Sequence, residues 1–90
     1  MQQTILIIVT GKVQGVWYRQ HTLQEAQALG ITGYVKNQND GTVFIKATGS
    51  PAQLEGFIRW CHTGSPRSSV TAVVQSPAPL QLFTSFTIER

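Results

Sequence analysis

The sequence predicts an α+β protein, with two helices laid on one face of an antiparallel sheet. The expected order is strand, helix, strand, strand, helix, strand, with one short strand besides. Three observations lead there. Two segments have helical spacing, each with a single apolar face. Apolar, β-branched runs stand before and after them. Between the two helices, Asp40-Gly41 marks a tight turn flanked by extended segments.

Residues 5–10 are apolar and β-branched almost throughout, which predicts a central strand. Thr22, Leu23, Ala26 and Leu29 then fall on one helical face, and Gly30 follows as a stop. Residues 33–37 are a short strand, closed by the turn Asn37-Gln38-Asn39-Asp40-Gly41. Residues 42–48 alternate, with Val43, Ile45 and Ala47 on one face. Ser50 is an N-cap, Pro51 suits the first helical position, and Gln53 completes a capping box. Leu54, Phe57, Ile58 and Cys61 recur at i, i+3, i+4 and i+7, the stripe of a helix lying on a sheet. Gly64-Ser65-Pro66 ends it. Residues 70–74 and 82–88 are two more strands, separated by Pro77-Ala78-Pro79. This order is the split βαβ, ferredoxin-like sandwich. Each half is expected to join a strand to a parallel neighbour by a right-handed helical crossover. The first and third strands are then central, and Arg19 and Asn37 come close in space.

Ninety residues suffice for one domain, and a single domain over 1–90 is expected. The net charge of +3 comes from Lys12, Arg19, Lys36, Lys46, Arg59, Arg67 and Arg90, which are scattered. A nucleic-acid binder would gather them along one face, so the bias favours a small anion. Cys61 is the only cysteine, which excludes an intramolecular disulfide and fits a reducing compartment. The first apolar run is too short for a signal peptide and no run approaches membrane-spanning length. A cytoplasmic protein is expected, with no membrane partner.

Chemistry concentrates in Gly11-Lys12-Val13-Gln14-Gly15-Val16-Trp17-Tyr18-Arg19, a strand-to-helix loop with two glycines and a terminal guanidinium. Glycines let successive backbone N–H groups turn toward one point, forming an anion-binding concavity. The helix N-terminus adds free N–H donors and partial positive charge. Arg19 adds a planar fork matching two phosphate oxygens. The spacing is not that of a P-loop, since no Ser or Thr follows Lys12. His21 and His62 lie far apart with no adjacent carboxylate, and read as solvated helical positions. Cys61 belongs to the apolar stripe, and as a sequence neighbour on a helix it cannot face His62. Trp60 is expected half-packed at the helix edge. Glu25, Asp40, Glu55 and Glu89 have no metal-ligand spacing, and Asp40 is assigned to its turn.

The loop, with Ala26, Leu29-Gly30, Gly33-Tyr34-Val35-Lys36-Asn37 and Asp40-Gly41-Thr42-Val43, resembles the acylphosphatases. Gly64-Ser65-Pro66, Val70, Phe86 and Ile88 extend the resemblance over nearly the whole chain. It implies the ferredoxin-like sandwich and metal-free hydrolysis of the carboxyl–phosphate bond of acyl phosphates. It implies also that Arg19 and Asn37 carry the reaction, with no cofactor or metal. On this basis the backbone N–H groups of Gln14, Gly15, Val16, Trp17, Tyr18 and Arg19, with the Arg19 guanidinium, are assigned to the phosphate. Asn37 is assigned to orienting water, which it can do without removing its proton. An acyl phosphate substrate, inorganic phosphate as product and competing ligand, and a monomeric enzyme are expected. Tyr18 stands where the family mostly has Phe, Tyr34 where Trp is usual, and Ser68 where Ala is common. The Tyr18 hydroxyl needs a partner or solvent. RNA recognition on the open sheet face would need several aromatics, and residues 42–48 offer only Phe44. A carbamoyl-phosphate-binding domain, as in hydrogenase-maturation proteins resembling this family, is the other reading; such domains belong to long chains.

Overall fold

Alternation along the first strand decides the layers. In β1 (Gln3–Lys12) Ile5, Ile7 and Val9 are buried, while Leu6 and Ile8 on the opposite face are half-buried. The same alternation buries Val35 in β2 (Thr32–Asn37) and Val43, Ile45 and Ala47 in β3 (Val43–Gly49). The helices α1 (Tyr18–Leu29) and α2 (Pro51–Thr63) cover that face with Tyr18, Thr22 and Ala26, and with Leu54, Phe57 and Cys61. Leu23, Leu29 and Ile58, expected on the apolar stripes, pack at their margins. Fully burying a side chain such as Phe57 or Ile45 contributes about 1.5–3 kcal/mol. These coordinates are a computed structural model that describes residues 1–89; Arg90, one of the scattered basic residues, lies outside them.

The helix ends follow their local chemistry. Ser50 Oγ accepts from the Gln53 N–H at 3.2 Å, and Gln53 Oε1 accepts from the Ser50 N–H at 2.8 Å. Gly30 closes α1 in the left-handed conformation, with φ 76°.

With β4 (Ser69–Ala78) and β5 (Phe86–Glu89), the strands form one sheet in the order β4-β1-β3-β2-β5. β3 pairs antiparallel with both β1 and β2, so β1 and β2 run parallel without touching. The crossover is therefore split by β3, as the split βαβ order implies, so the parallel partner of β1 is not its immediate neighbour. The hairpin through Asp40-Gly41 delivers β3, whose inward residues are all buried, into the central slot beside β1.

The last third departs further. β4 continues through Pro77, which pairs opposite Ile5, past the expected end at residue 74. As an edge strand it can leave the proline nitrogen on the unpaired side. β5 begins only at Phe86, four residues later than expected, and runs parallel to β2. The sheet is consequently mixed, not antiparallel throughout. The chain reaches that far edge past a pair of threonines. Thr4 and Thr48 hydroxyls lie 2.6 Å apart, Thr4 Oγ1 accepts from the Gln81 N–H at 2.9 Å, and Thr48 Oγ1 donates to the Gln81 carbonyl at 2.7 Å.

The core also holds two weak acids. The Tyr18 hydroxyl donates to the Cys61 carbonyl at 2.9 Å. Burial pushes the Tyr18 phenol far above its ordinary value and the Cys61 thiol up to about 12. In the unfolded chain they ionise near 10.0 and 9.0. Above the lower value the folded chain holds more protons than the unfolded one, so stability falls as pH rises. The urea midpoint should drop as pH climbs from 9.0 toward about 12, and drop less steeply in Cys61→Val. A Cys61→Val decline as steep as that of the unsubstituted chain would contradict the burial argument for the thiol.

Candidate active site

Residues 13–17 join β1 to α1, anchored by two valines. Val13 and Val16 are buried, while Gly15 and Trp17 are exposed. The backbone is left-handed at Gly15, between the anchors, with φ 72°, and at Trp17, just after them, with φ 64° and ψ 18°. Trp17 is the only non-glycine with positive φ among the described residues, and its indole is 68 % exposed. Such a conformation costs of order 1–3 kcal/mol, so surrounding contacts must hold it.

Trp17 is also the N-cap of α1, and no side chain caps that end. Its carbonyl accepts the His21 N–H at 3.1 Å, the first helical bond, which leaves the N–H groups of Tyr18, Arg19 and Gln20 without intrahelical acceptors. No acidic residue stands in the first turn. Arg19 stands there instead, a cation at the positive end of a helix. This end of α1 is suited to an anion.

The sheet topology brings the second residue to it. β1 and β2 are parallel, so the loop leaving β1 and the last residue of β2, Asn37, lie at the same end of the sheet. Val13, Gly15, Trp17, Tyr18, Arg19, Gln20, Asn37 and Ile88 line one open cleft of about 340 Å³. Arg19 Nη1 donates a long bond, 3.4 Å, to the Glu89 carbonyl of β5. Asn37 Oδ1 is buried and has no hydrogen-bond partner among the described residues. A buried acceptor left unpaired costs about 1–3 kcal/mol, which a donor in the cleft would recover.

The side chain of Gln14 ties the two halves together. Its Nε2 donates to the carbonyls of Gln38 and Thr42, both at 2.8 Å, so one amide group grips the turn that follows Asn37. Thr42 in turn gives its N–H and hydroxyl to Asp40 Oδ1 at 3.0 and 2.6 Å. The Thr42 hydroxyl and N–H hold the Asp40 carboxyl below its ordinary value, and Asp40 serves the turn. The sequence assigned Gln14 a backbone role only; nothing local in it tells which carbonyls a loop glutamine will reach.

The remaining candidates lie apart. Cys61 is in the core, and His62 is exposed on α2. His21 Nδ1 is 3.0 Å from the Trp17 carbonyl, on the helix side of the loop. Trp60 is half-buried against the Tyr18 ring, centroids 5.3 Å apart. The Tyr18 hydroxyl meets its need for a partner inside the core. Tyr34 packs with Phe44 and Phe83 on the other side of the sheet. Among the described residues no three His, Cys, Asp or Glu side chains converge.

The model of the family described as acylphosphatase matches residues 5–88. The chain belongs to the acylphosphatase family. It is similar to the acylphosphatase of Marinobacter nauticus, 48 % identical over 81 residues that cover 89 % of this chain and 88 % of that one. It is 47 % identical to the acylphosphatase of Actinobacillus pleuropneumoniae over the whole of both chains. The crystal structure of acylphosphatase from Bacillus subtilis superposes over all of both chains with a TM-score of 0.95 at 36 % identity. The ferredoxin-like fold is thus that of a solved acylphosphatase.

If Gln14 links the loop to the turn beyond Asn37, Gln14→Leu should lower stability by about 1–2 kcal/mol in urea denaturation. Amide exchange at Gln38 and Gly41 should quicken in that variant. Gln14→Lys, which keeps donors one bond further out on a flexible stem, should recover part of both. Unchanged exchange in Gln14→Leu would rule the link out.

Proposed function

We propose that this cleft hydrolyses the carboxyl–phosphate bond of acyl phosphates without a metal, and that Arg19 and Asn37 divide the work. The observation that carries this reading is their meeting on one cleft, a guanidinium and a buried amide oxygen that has no partner among the described residues. The N–H groups from Gln14 to Arg19 and the Arg19 fork hold the phosphoryl oxygens and spread their charge. Asn37 Oδ1 accepts a hydrogen bond from the attacking water and fixes it in line with the phosphorus. The water oxygen bonds to phosphorus as the bond to the carboxylate oxygen breaks, and the water proton passes to the substrate's own phosphate. A carboxylate and inorganic phosphate result.

Among the described residues the cleft lining offers no carboxylate, imidazole or thiol, and the proposed leaving group departs unprotonated. A carboxylate does this readily, because its acid has a pKa of about 4. A monomer acting as a single domain completes this reading. The lone, buried Cys61 supports a reducing, cytoplasmic setting, and no helix among the described residues is long and apolar enough to cross a membrane.

The two roles separate by mutation. Arg19→Lys keeps the charge but loses the fork, and should cost at least ~100-fold in the rate of benzoyl phosphate hydrolysis. Asn37→Ala should collapse kcat while calorimetry still finds inorganic phosphate bound nearly as tightly. Near-normal turnover by Arg19→Lys would overturn its assignment. A phosphate affinity that falls with kcat in Asn37→Ala would make Asn37 a phosphate ligand instead.

A further inference from the structure

The Gly64-Ser65-Pro66 turn lies under the loop and is used by nothing described so far. Ser65 is 3 % exposed, and its hydroxyl donates to the carbonyl of Val16 at 2.8 Å, a buried bond across forty-nine positions of sequence. The serine is itself fixed. The Ser68 N–H and hydroxyl both donate to the Ser65 carbonyl, at 3.0 and 2.7 Å, and Pro66 restrains the backbone between. A side chain at Gly64 would run into Ser68 Oγ and crowd the ring of Tyr18, so the turn sits directly against the first residue of α1.

The Val16 carbonyl and the Trp17 N–H belong to one peptide unit. That unit is trans, as are all the described peptides, so the two groups point in opposite directions. Holding the carbonyl down toward the core turns the N–H up, toward the cleft that Gly15 and Trp17 line. The same bond restrains the peptide entering the left-handed Trp17, whose exposed indole finds no packing to stabilise it.

We propose that Ser65 is a positioning residue for phosphate binding: its hydroxyl locks the Val16–Trp17 peptide so that the Trp17 N–H faces the phosphoryl group. This rests on the cleft being the phosphate site. Without the hydroxyl, the peptide can rotate and one donor to the anion is lost.

The test is a titration of the ¹⁵N-labelled chain with inorganic phosphate, at matched ionic strength, on the unsubstituted protein and on Ser65→Ala. In the unsubstituted protein the Trp17 amide resonance should shift with those of Gly15 and Arg19. In Ser65→Ala the Trp17 response should be lost while the Gly15 response stays. Phosphate affinity should fall about tenfold, and KM for benzoyl phosphate should rise by a similar factor, as for one lost hydrogen bond to an anion. Should Ser65→Ala not fold, the unsubstituted protein decides. A silent Trp17 amide among responding neighbours would overturn the role of Ser65 and leave the site standing. No response from any loop amide would overturn the site and the proposal together. A folded Ser65→Ala that keeps its phosphate affinity and its Trp17 shift would overturn the proposal alone.

Discussion

Because β3 pairs antiparallel with both β1 and β2, the two strands that lead into the cleft end at the same edge of the sheet, one on each side of β3. Everything at the cleft depends on that register. β1 delivers the loop and the N-terminus of α1, and β2 delivers Asn37. β5, parallel to β2, adds Ile88 to the lining and the Glu89 carbonyl near Arg19. The pairing is secured by the buried alternation of Ile5, Ile7 and Val9 against Val43, Ile45 and Ala47, since a slip by one residue would turn those groups outward.

At the end of this well-satisfied sheet, local rules are broken within one small volume. A tryptophan takes a left-handed backbone, an arginine occupies the first turn of a helix, and an asparagine oxygen is buried unpaired. Each is unfavourable to folding, and elsewhere the chain avoids such features: Ser50 and Gln53 cap α2 reciprocally, and Asp40 and Thr42 satisfy their turn. On the proposed function, a bound phosphate would offset the charge of the first turn and a water would donate to the amide oxygen. Such violations gathered at one place are what a binding site is expected to show.

What could be read from the sequence was what short-range chemistry decides. The capping box, the stripe of α2, the Asp-Gly turn and the alternation of β3 involve residues within a turn or two of each other. Arg19 and Asn37 were legible as a pair because a parallel β1 and β2 require their C-terminal ends to coincide. Pro77 misled as a strand end, since its tolerance depends on β4 being an edge, a property of the whole sheet. The direction of β5 was equally hidden, for it depends on where Thr4 and Thr48 hold Gln81. The clasp of Gln14 and the bond from Ser65 to Val16 join residues whose proximity exists only after the sheet has formed.

On the proposed function, binding and water positioning suffice, and no described residue of the cleft is a proton donor for the leaving group. The most direct measurement compares kcat/KM for benzoyl phosphate and glycerol phosphate in the presence of a chelator. Benzoyl phosphate should be hydrolysed and glycerol phosphate left essentially untouched, since an alkoxide is too basic to depart unaided. Comparable values for the two would reveal a proton donor at the cleft and contradict the account.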